Sequence, residues 1–368
     1  MMQNTSPKDI KICFVLDHVL QHYRVPLFRY LVKLGYNITI CYPAYFKRRS
    51  PTIEELDPDL SSSVQAIPLK VRKFPGFYFF GVINPDQYDV IICMQDLRVI
   101  DFWKLTLNPF KKYKLIHWGI GVSSFDKKNG FTTAIRNFLT LFADKLILYS
   151  EEAQKYYSKK LQGKIVVAHN TVDNKWSEDF SGFDNDCFLF IGQLDKRKGI
   201  TKLMKAFSVY LQEAGKTDIQ KLVIIGDGEM GDELQKLASE LQITRYVIFT
   251  GSMKEDDQKR EYFKRAQLCI SMKQAGLAIL ESFSYGVPFV TSRDAITGGE
   301  RFNIQHKNTG FFVESVQDLT DLFHYTQKNR EEVKRIGSNA YDFYHQQRSS
   351  EKMAGVFDDV IREVTGKS

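Results

Sequence analysis

Cys187-Phe-Leu-Phe-Ile-Gly192-Gln193-Leu-Asp195-Lys-Arg197-Lys198-Gly199-Ile200 is the stretch that decides how this chain folds. An apolar run ends in a glycine, and cations, Arg197 and Lys198 among them, stand just before a second apolar pattern, Ile200–Tyr210, whose spacing predicts a helix. A strand apolar on both faces that runs straight into a helix is one unit of a parallel sheet. The turn also has a chemistry. A nucleotide diphosphate needs backbone N–H groups and a helix dipole on one side and fixed positive charge on the other. A solvent-exposed basic turn would read the same way.

Outward from this stretch the alternation repeats. Strands are expected at Cys187–Gly192, Leu222–Gly226, Val247–Gly251, Leu268–Ser271, Pro288–Ser292 and Phe311–Glu314, with helices between them. The first half carries the same pattern at Ile10–Leu16, Asn37–Tyr42, Val64–Leu69, Tyr88–Met94, Lys114–Trp118, Lys145–Tyr149 and Lys164–Ala168. Helices are expected there at Val25–Leu34, Thr132–Leu141 and Glu151–Lys160. Two α/β halves of similar size follow, joined by a polar stretch at 174–186. The expected domains are 1–174, 175–345 and a terminal helical segment, 346–368, which could pack back on the first. In such sheets ligands bind beyond the C-terminal ends of the strands.

The 368 residues carry a net charge of +7, and 43% are hydrophobic against 26% charged, a globular composition. Residues 1–180 hold an excess of 8 positive charges, and the remainder is nearly neutral. The excess gathers at Lys47-Arg48-Arg49, Lys70/Arg72/Lys73, Lys111/Lys112/Lys114 and Lys127-Lys128. Two of these clusters adjoin aromatics, Phe74 to Phe80 and Phe110/Tyr113. A basic, aromatic face suits an anionic membrane surface or a phosphorylated lipid; a solvated basic surface is the plainer reading. Nucleic acid is the weakest, because the second half is not basic and no nucleic-acid motif is present. Five scattered cysteines without a CxxC pair or a Cys/His cluster speak against disulfides and structural zinc. No run approaches the length of a spanning helix, and the first residues lead into a strand instead of a signal peptide. The expected location is cytoplasmic, with a peripheral place on the inner face of the cytoplasmic membrane as an option.

Three further motifs stand after strands. Gly226-Asp-Gly228-Glu-Met-Gly231 has the spacing of a dinucleotide fingerprint, but the next strand ends in Thr250-Gly251 where an acid for the ribose would be needed. The glycines are expected to form a tight turn instead. Gly276-Leu277-Ala278-Ile-Leu-Glu281-Ser-Phe-Ser-Tyr-Gly286-Val-Pro288 places one acid in an apolar helix, costly unless it is ion-paired or holds ligand hydroxyls. Thr297-Gly298-Gly299-Glu300 reads as a flexible loop at the same sheet edge.

As an ensemble, GQLDKRKG, IIGDG, VIFTG, GLAILESFSYGVP and NTGFFV over about 187–315 resemble the donor domain of retaining GT-B glycosyltransferases of family 4. In the first half, Ala143 to Glu151 and Val167-Ala-His-Asn170-Thr-Val-Asp173 look like that family's junction. The loop His22-Tyr23-Arg24-Val-Pro-Leu-Phe28 is similar to a bacterial polysaccharide-assembly subgroup. The resemblance implies two Rossmann-like domains facing each other across a cleft. It also implies sugar transfer with retention, from a nucleoside-diphosphate sugar to a glycan or lipid-linked acceptor, in capsule or lipopolysaccharide synthesis. Lys198 and Arg197 would stabilise the departing diphosphate, Glu281 would accept the ribose hydroxyls, and Gly276, Leu277 and Ala278 would line the diphosphate. His117 would contact sugar or acceptor, although a core histidine or an alignment through Ile120 fits too. Tyr23 and Arg24 would meet an acceptor phosphate.

Two donor positions depart from the family pattern. Gln193 stands where an arginine is common, and Lys273 stands where the first glutamate of a pair is expected. Lys273 points to an acidic sugar or a phosphate. No acid pair of the DxD kind follows a strand in a donor-like context, so neither metal nor cofactor is expected. The alternatives are an inverting transferase, an epimerase, or a weakly catalytic binding subunit.

Overall fold

The structure, a computed structural model, describes residues 10–44, 51–81, 83–121, 130–174, 179–180, 185–214, 220–253 and 256–367. The clusters Lys47-Arg48-Arg49 and Lys127-Lys128, and much of the expected linker, lie outside the described residues. The chain forms two compact units. The first runs to Val172 and takes in the chain from Ser350 onward, and the second is Asp173–Ser349.

The first unit contains β1 (Lys11–Val15), β2 (Asn37–Ala44), β3 (Val64–Lys70), β4 (Arg72–Phe74), β5 (Phe77–Phe79), β6 (Val90–Met94), β7 (Lys114–Gly119), β8 (Lys145–Leu148) and β9 (Ile165–Val167). Seven of these form a parallel sheet in the order β3-β2-β1-β6-β7-β8-β9. Its central strands are buried on both faces, β6 reading as one continuous hydrophobic run, while the edge strand β3 is largely half-exposed. On one face Phe14 of β1 meets Phe28 of the helix Val25–Lys33 at 5.0 Å, and Trp118 of β7 meets Phe357 at 5.2 Å. Phe357 belongs to the last helix, Ser350–Thr365, whose Met353, Phe357, Val360 and Ile361 lie on one stripe and are buried in this core. Burying a side chain the size of Phe357 contributes roughly 2–3 kcal/mol.

The second unit contains β10 (Cys187–Ile191), β11 (Lys221–Ile225), β12 (Val247–Gly251), β13 (Ala266–Ile270), β14 (Phe289–Thr291) and β15 (Gly310–Phe312). They pair in parallel in the order β12-β11-β10-β13-β14-β15. Phe188 of β10 packs at 4.2 Å on Phe323 of the helix Val316–Lys328 and leads a core shared with Phe207 and Tyr210.

Both sheets have the same consequence for ligands. Strand order runs one way from β10 through β11 to β12 and the other way from β13 to β15, so a crevice opens beyond β10 and β13. The corresponding point in the first unit lies beyond β1 and β6.

One local expectation is corrected. The helix expected over Glu151–Lys160 is one turn, Glu151–Gln154, followed by a 3₁₀ segment, Lys159–Lys164. The basic aromatic stretch after β3 is a two-stranded antiparallel ribbon, β4 with β5, turning at Gly76 (φ +80°). A left-handed backbone at that turn favours glycine.

Candidate nucleotide-binding site

The crevice beyond β10 and β13 is built by two loops locked together. Gly192 donates its N–H to the Ile225 carbonyl at 3.0 Å, and Leu194 donates to Asp227 at 2.9 Å. Met230 donates to Leu194 in return, at 3.1 Å. The approach is so close that a methyl group added at Gly226 would lie 1.8 Å from the Gly192 oxygen. One added at Gly228 would lie 2.5 Å from the Leu194 oxygen. Gly226 and Gly228 therefore serve close backbone approach as well as the tight turn expected from sequence, while a methyl at Gly231, which opens the helix Gly231–Glu240, would meet nothing within 4 Å.

This clamp fixes the cations. Asp195 is buried and opens the short 3₁₀ segment Lys196–Lys198, accepting the Arg197 N–H at 2.9 Å and pairing with the Arg197 guanidinium at 2.7 Å. Burial alone would raise its pKa, but the Arg197 hydrogen bonds and charge hold the carboxyl below its ordinary value. Lys198 is half-buried, and its ammonium lies 3.9 Å from the position a Gly192 methyl would take. Burial lowers its pKa, with Asp195 pulling partly the other way. Gly199, at φ +72°, then turns the chain into the helix Ile200–Glu213. Gln193 is exposed at the rim of the same turn.

The other wall follows β13. Lys273 is exposed; its backbone N–H donates to the Lys198 carbonyl at 3.4 Å, and its Cγ would lie 3.1 Å from a methyl at Gly199. Ser271 Oγ donates to the Gln274 carbonyl at 2.9 Å and steadies this turn. Gly276 and Leu277 lead into the short helix Ala278–Ser284, and all three of Gly276, Leu277 and Ala278 are partly exposed. Glu281, one turn in, accepts from Lys259 through Oε1 at 2.7 Å, and Lys259 also pairs with Asp256 at 3.0 Å. Burial works against the charge on Lys259, but the two carboxylates outweigh it and raise its pKa. The acid in the apolar helix is thus partnered by a lysine of the helix Asp256–Phe263.

One residue here was missed from sequence. Glu300 is buried, and its charge acts on Lys198. It opens a 3₁₀ segment, Glu300–Asn303, so the end of the expected flexible loop is ordered. An acid after two glycines beyond a strand was the available signal.

In the first unit two expected site residues are reassigned. His117 is in the core of β7, with Nε2 3.1 Å from Thr106 Oγ1 and its ring 4.8 Å from Phe102. Complete burial, with Lys111 and Lys164 adding to it, pushes its pKa down to about 3, so it is a neutral core histidine. Arg24 is buried as well. It donates to Tyr149 Oη and, at 3.2 Å, to Asn170 Oδ1, while its guanidinium lies 4.3 Å over the Trp118 ring. Its partners thus come from the ends of β7, β8 and β9. Tyr23 stays half-exposed beside it, and Ile120 is exposed past β7.

A family model described as "Glycosyl transferases group 1" matches residues 176–343, the stretch that builds the crevice. Residues 176–343 are a glycosyl transferases group 1 domain. Relatives of this group 1 domain include the alpha-monoglucosyldiacylglycerol synthase of Streptococcus pneumoniae, 26% identical over 42% of this chain and 38% of that one. The O-antigen biosynthesis glycosyltransferase WclY of Escherichia coli is 24% identical over 61% of this chain and 64% of its own. The matches thus span between about a third and two thirds of these relatives' length. In three dimensions the chain resembles Anabaena Alr3699/HepE, crystallised in complex with UDP, with a TM-score of 0.71 at 15% identity over 96% of this chain and 100% of that one. The fold is that of the GT-B glycosyltransferases, with two parallel-sheet domains.

Proposed function

We propose that the chain is a retaining glycosyltransferase of the family 4 kind. It moves a sugar from a nucleoside-diphosphate sugar to a glycan or lipid-linked acceptor during cell-surface polysaccharide synthesis. The observation that carries this reading is the placement of Lys198 and Arg197 beyond β10, at the reversal of strand order, on a turn clamped by Gly226 and Gly228. Negative charge develops on the diphosphate as the sugar leaves. Cations held in advance at that point stabilise it without reorganisation.

The remaining residues take roles around that centre. Backbone amides at Gly276, Leu277 and Ala278 line the diphosphate, and Glu281 accepts the ribose hydroxyls, oriented by Lys259. Gln193 and Lys273 border the sugar, and Tyr23 contributes to the acceptor side. Lys198 and Arg197 supply the charge that a bound metal supplies in other transferases. The UDP bound to HepE and the glycolipid and O-antigen products named for the relatives support a nucleotide-sugar donor and a membrane-linked acceptor. No helix among the described residues is long and apolar enough to cross a membrane. We place the chain as a peripheral protein on the inner face of the cytoplasmic membrane, where a lipid-linked acceptor is found. The deciding experiment incubates the protein with a panel of nucleotide sugars and acceptors and reads the anomeric configuration of the product by NMR. Retention supports the assignment; inversion, or epimerised donor without transfer, overturns it.

A further inference from the structure

The helix Gly130–Leu141 lies between β7 and β8 and has two apolar faces. Ile135 and Leu139 pack into the core of the first unit. The opposite face carries Phe131, Ala134, Phe138 and Leu141, at intervals of three, four and three residues, and all four are exposed. Phe131 is 73% exposed, Phe138 50% and Leu141 52%. Phe142 continues the stripe, its ring 5.2 Å from that of Phe138. A helix on the surface of a water-soluble protein normally turns polar residues outward, and an apolar outer stripe marks an interaction surface.

The same surface extends to a neighbouring turn. Lys111 donates its ammonium to the Phe142 carbonyl, which sets the Leu107–Lys112 turn beside the helix end, and Phe110 in that turn is 85% exposed. Lys164 donates to the Leu141 and Ala143 carbonyls at 2.7 and 2.6 Å. Cations thus gather at the Leu141–Phe142 end of the stripe: Lys111, Lys164 and Lys114, with Lys112 exposed in the adjoining turn. The acid facing them, Asp144, is 3.5 Å from Lys114 and also accepts the Leu115 N–H. Exposed aromatics bordered by lysines complement a bilayer with anionic headgroups, the rings entering the interface and the ammonium groups meeting phosphate. The crossover helix runs against the parallel strands, so its Phe131 end lies toward their C-terminal ends, where ligands of such sheets bind.

We infer that the exposed stripe of the helix Gly130–Leu141, with Phe110 and its flanking lysines, docks the first unit on an anionic lipid bilayer. This rests on the membrane location proposed above and names the surface that produces it.

Flotation of the full chain with phosphatidylcholine vesicles, with and without added phosphatidylglycerol, tests the inference. Three proteins are compared at low and high salt: wild type, the triple variant Phe131→Ser/Phe138→Ser/Leu141→Ser, and Lys112→Glu. All the altered side chains are exposed, so circular dichroism and Tm should match wild type and certify the fold. The wild type should bind the anionic vesicles and release them at high salt. The triple variant should lose at least about tenfold in partitioning, and Lys112→Glu should lose about tenfold. If the wild type ignores anionic vesicles, both the location and this surface fall. If it binds and the triple variant binds equally well, the surface is wrong while the location stands. Reversible dimers abolished by the triple variant, without any vesicle binding, would make the stripe a contact between copies and overturn the inference.

Discussion

Lys198 offers the sharpest perturbation. Its ammonium is half-buried beside Gly192, on a turn whose position is set by Gly226 and Asp195. A unit charge about 4 Å from developing phosphate charge, at an effective dielectric of about 20, is worth about 4 kcal/mol. Lys198→Ala should therefore cut kcat by roughly a thousandfold. Ground-state donor binding should weaken far less, because Arg197 and the loop amides remain. The pH dependence adds a second, independent check. Burial places the Lys198 pKa below the ordinary 10.5. The cationic form is the active one, so kcat/KM should hold on the acid side and fall as pH rises through that lowered value. Lys198→Arg keeps the charge but does not titrate, so the alkaline limb should vanish along with part of the activity. Steady-state rates across pH for the three proteins measure all of this. Near-normal turnover by Lys198→Ala, or an unchanged alkaline limb in Lys198→Arg, would refute the reasoning.

Three other outcomes are expected. Glu281→Gln removes the anion that faces Lys259 and the proposed ribose contact; KM for the donor should rise about tenfold with kcat little altered, read by initial rates. Gly226→Ala sets a methyl 1.8 Å from the Gly192 oxygen, at a φ of +149°. It should destabilise the second unit by about 3–5 kcal/mol and lower its Tm by roughly 10 °C, measured by calorimetry. His117 stays neutral in the fold down to about pH 3, whereas in the unfolded chain it protonates near 6.5. The unfolded state therefore binds the extra proton between those values, and the first unit should lose stability as pH falls from 6.5 toward 3. His117→Gln should flatten that part of the denaturation profile, and its activity profile should keep any limb near neutrality.

The central strands were legible because the sheets bury both their faces, so β6 and β10 appear as unbroken apolar runs. The placement of Lys198 was legible for a related reason: a chain leaving a parallel strand must pass the ligand edge. Orientation was not. His117 stands one residue before Trp118 near the end of β7, but what surrounds it, Thr106 and Phe102, comes from the helix Ile100–Leu107, which no local pattern ties to it. Arg24 opens the first helix as a surface residue would, yet its partners Tyr149 and Asn170 are more than a hundred residues away. Glu300, likewise distant in sequence, acts on Lys198 only through its charge. The outer stripe of the helix Gly130–Leu141 escaped notice because an apolar residue at helical spacing reads first as core.

The central claim is that the turn Lys196–Lys198 receives a diphosphate. Calorimetric titration of the full chain with a nucleoside diphosphate and the matching monophosphate, for each common base, tests it most directly. For at least one base the diphosphate should bind at least about tenfold more tightly than the monophosphate, the second phosphate meeting Lys198 and Arg197. Equal affinity for the two, or no binding of any nucleoside diphosphate, would contradict the account.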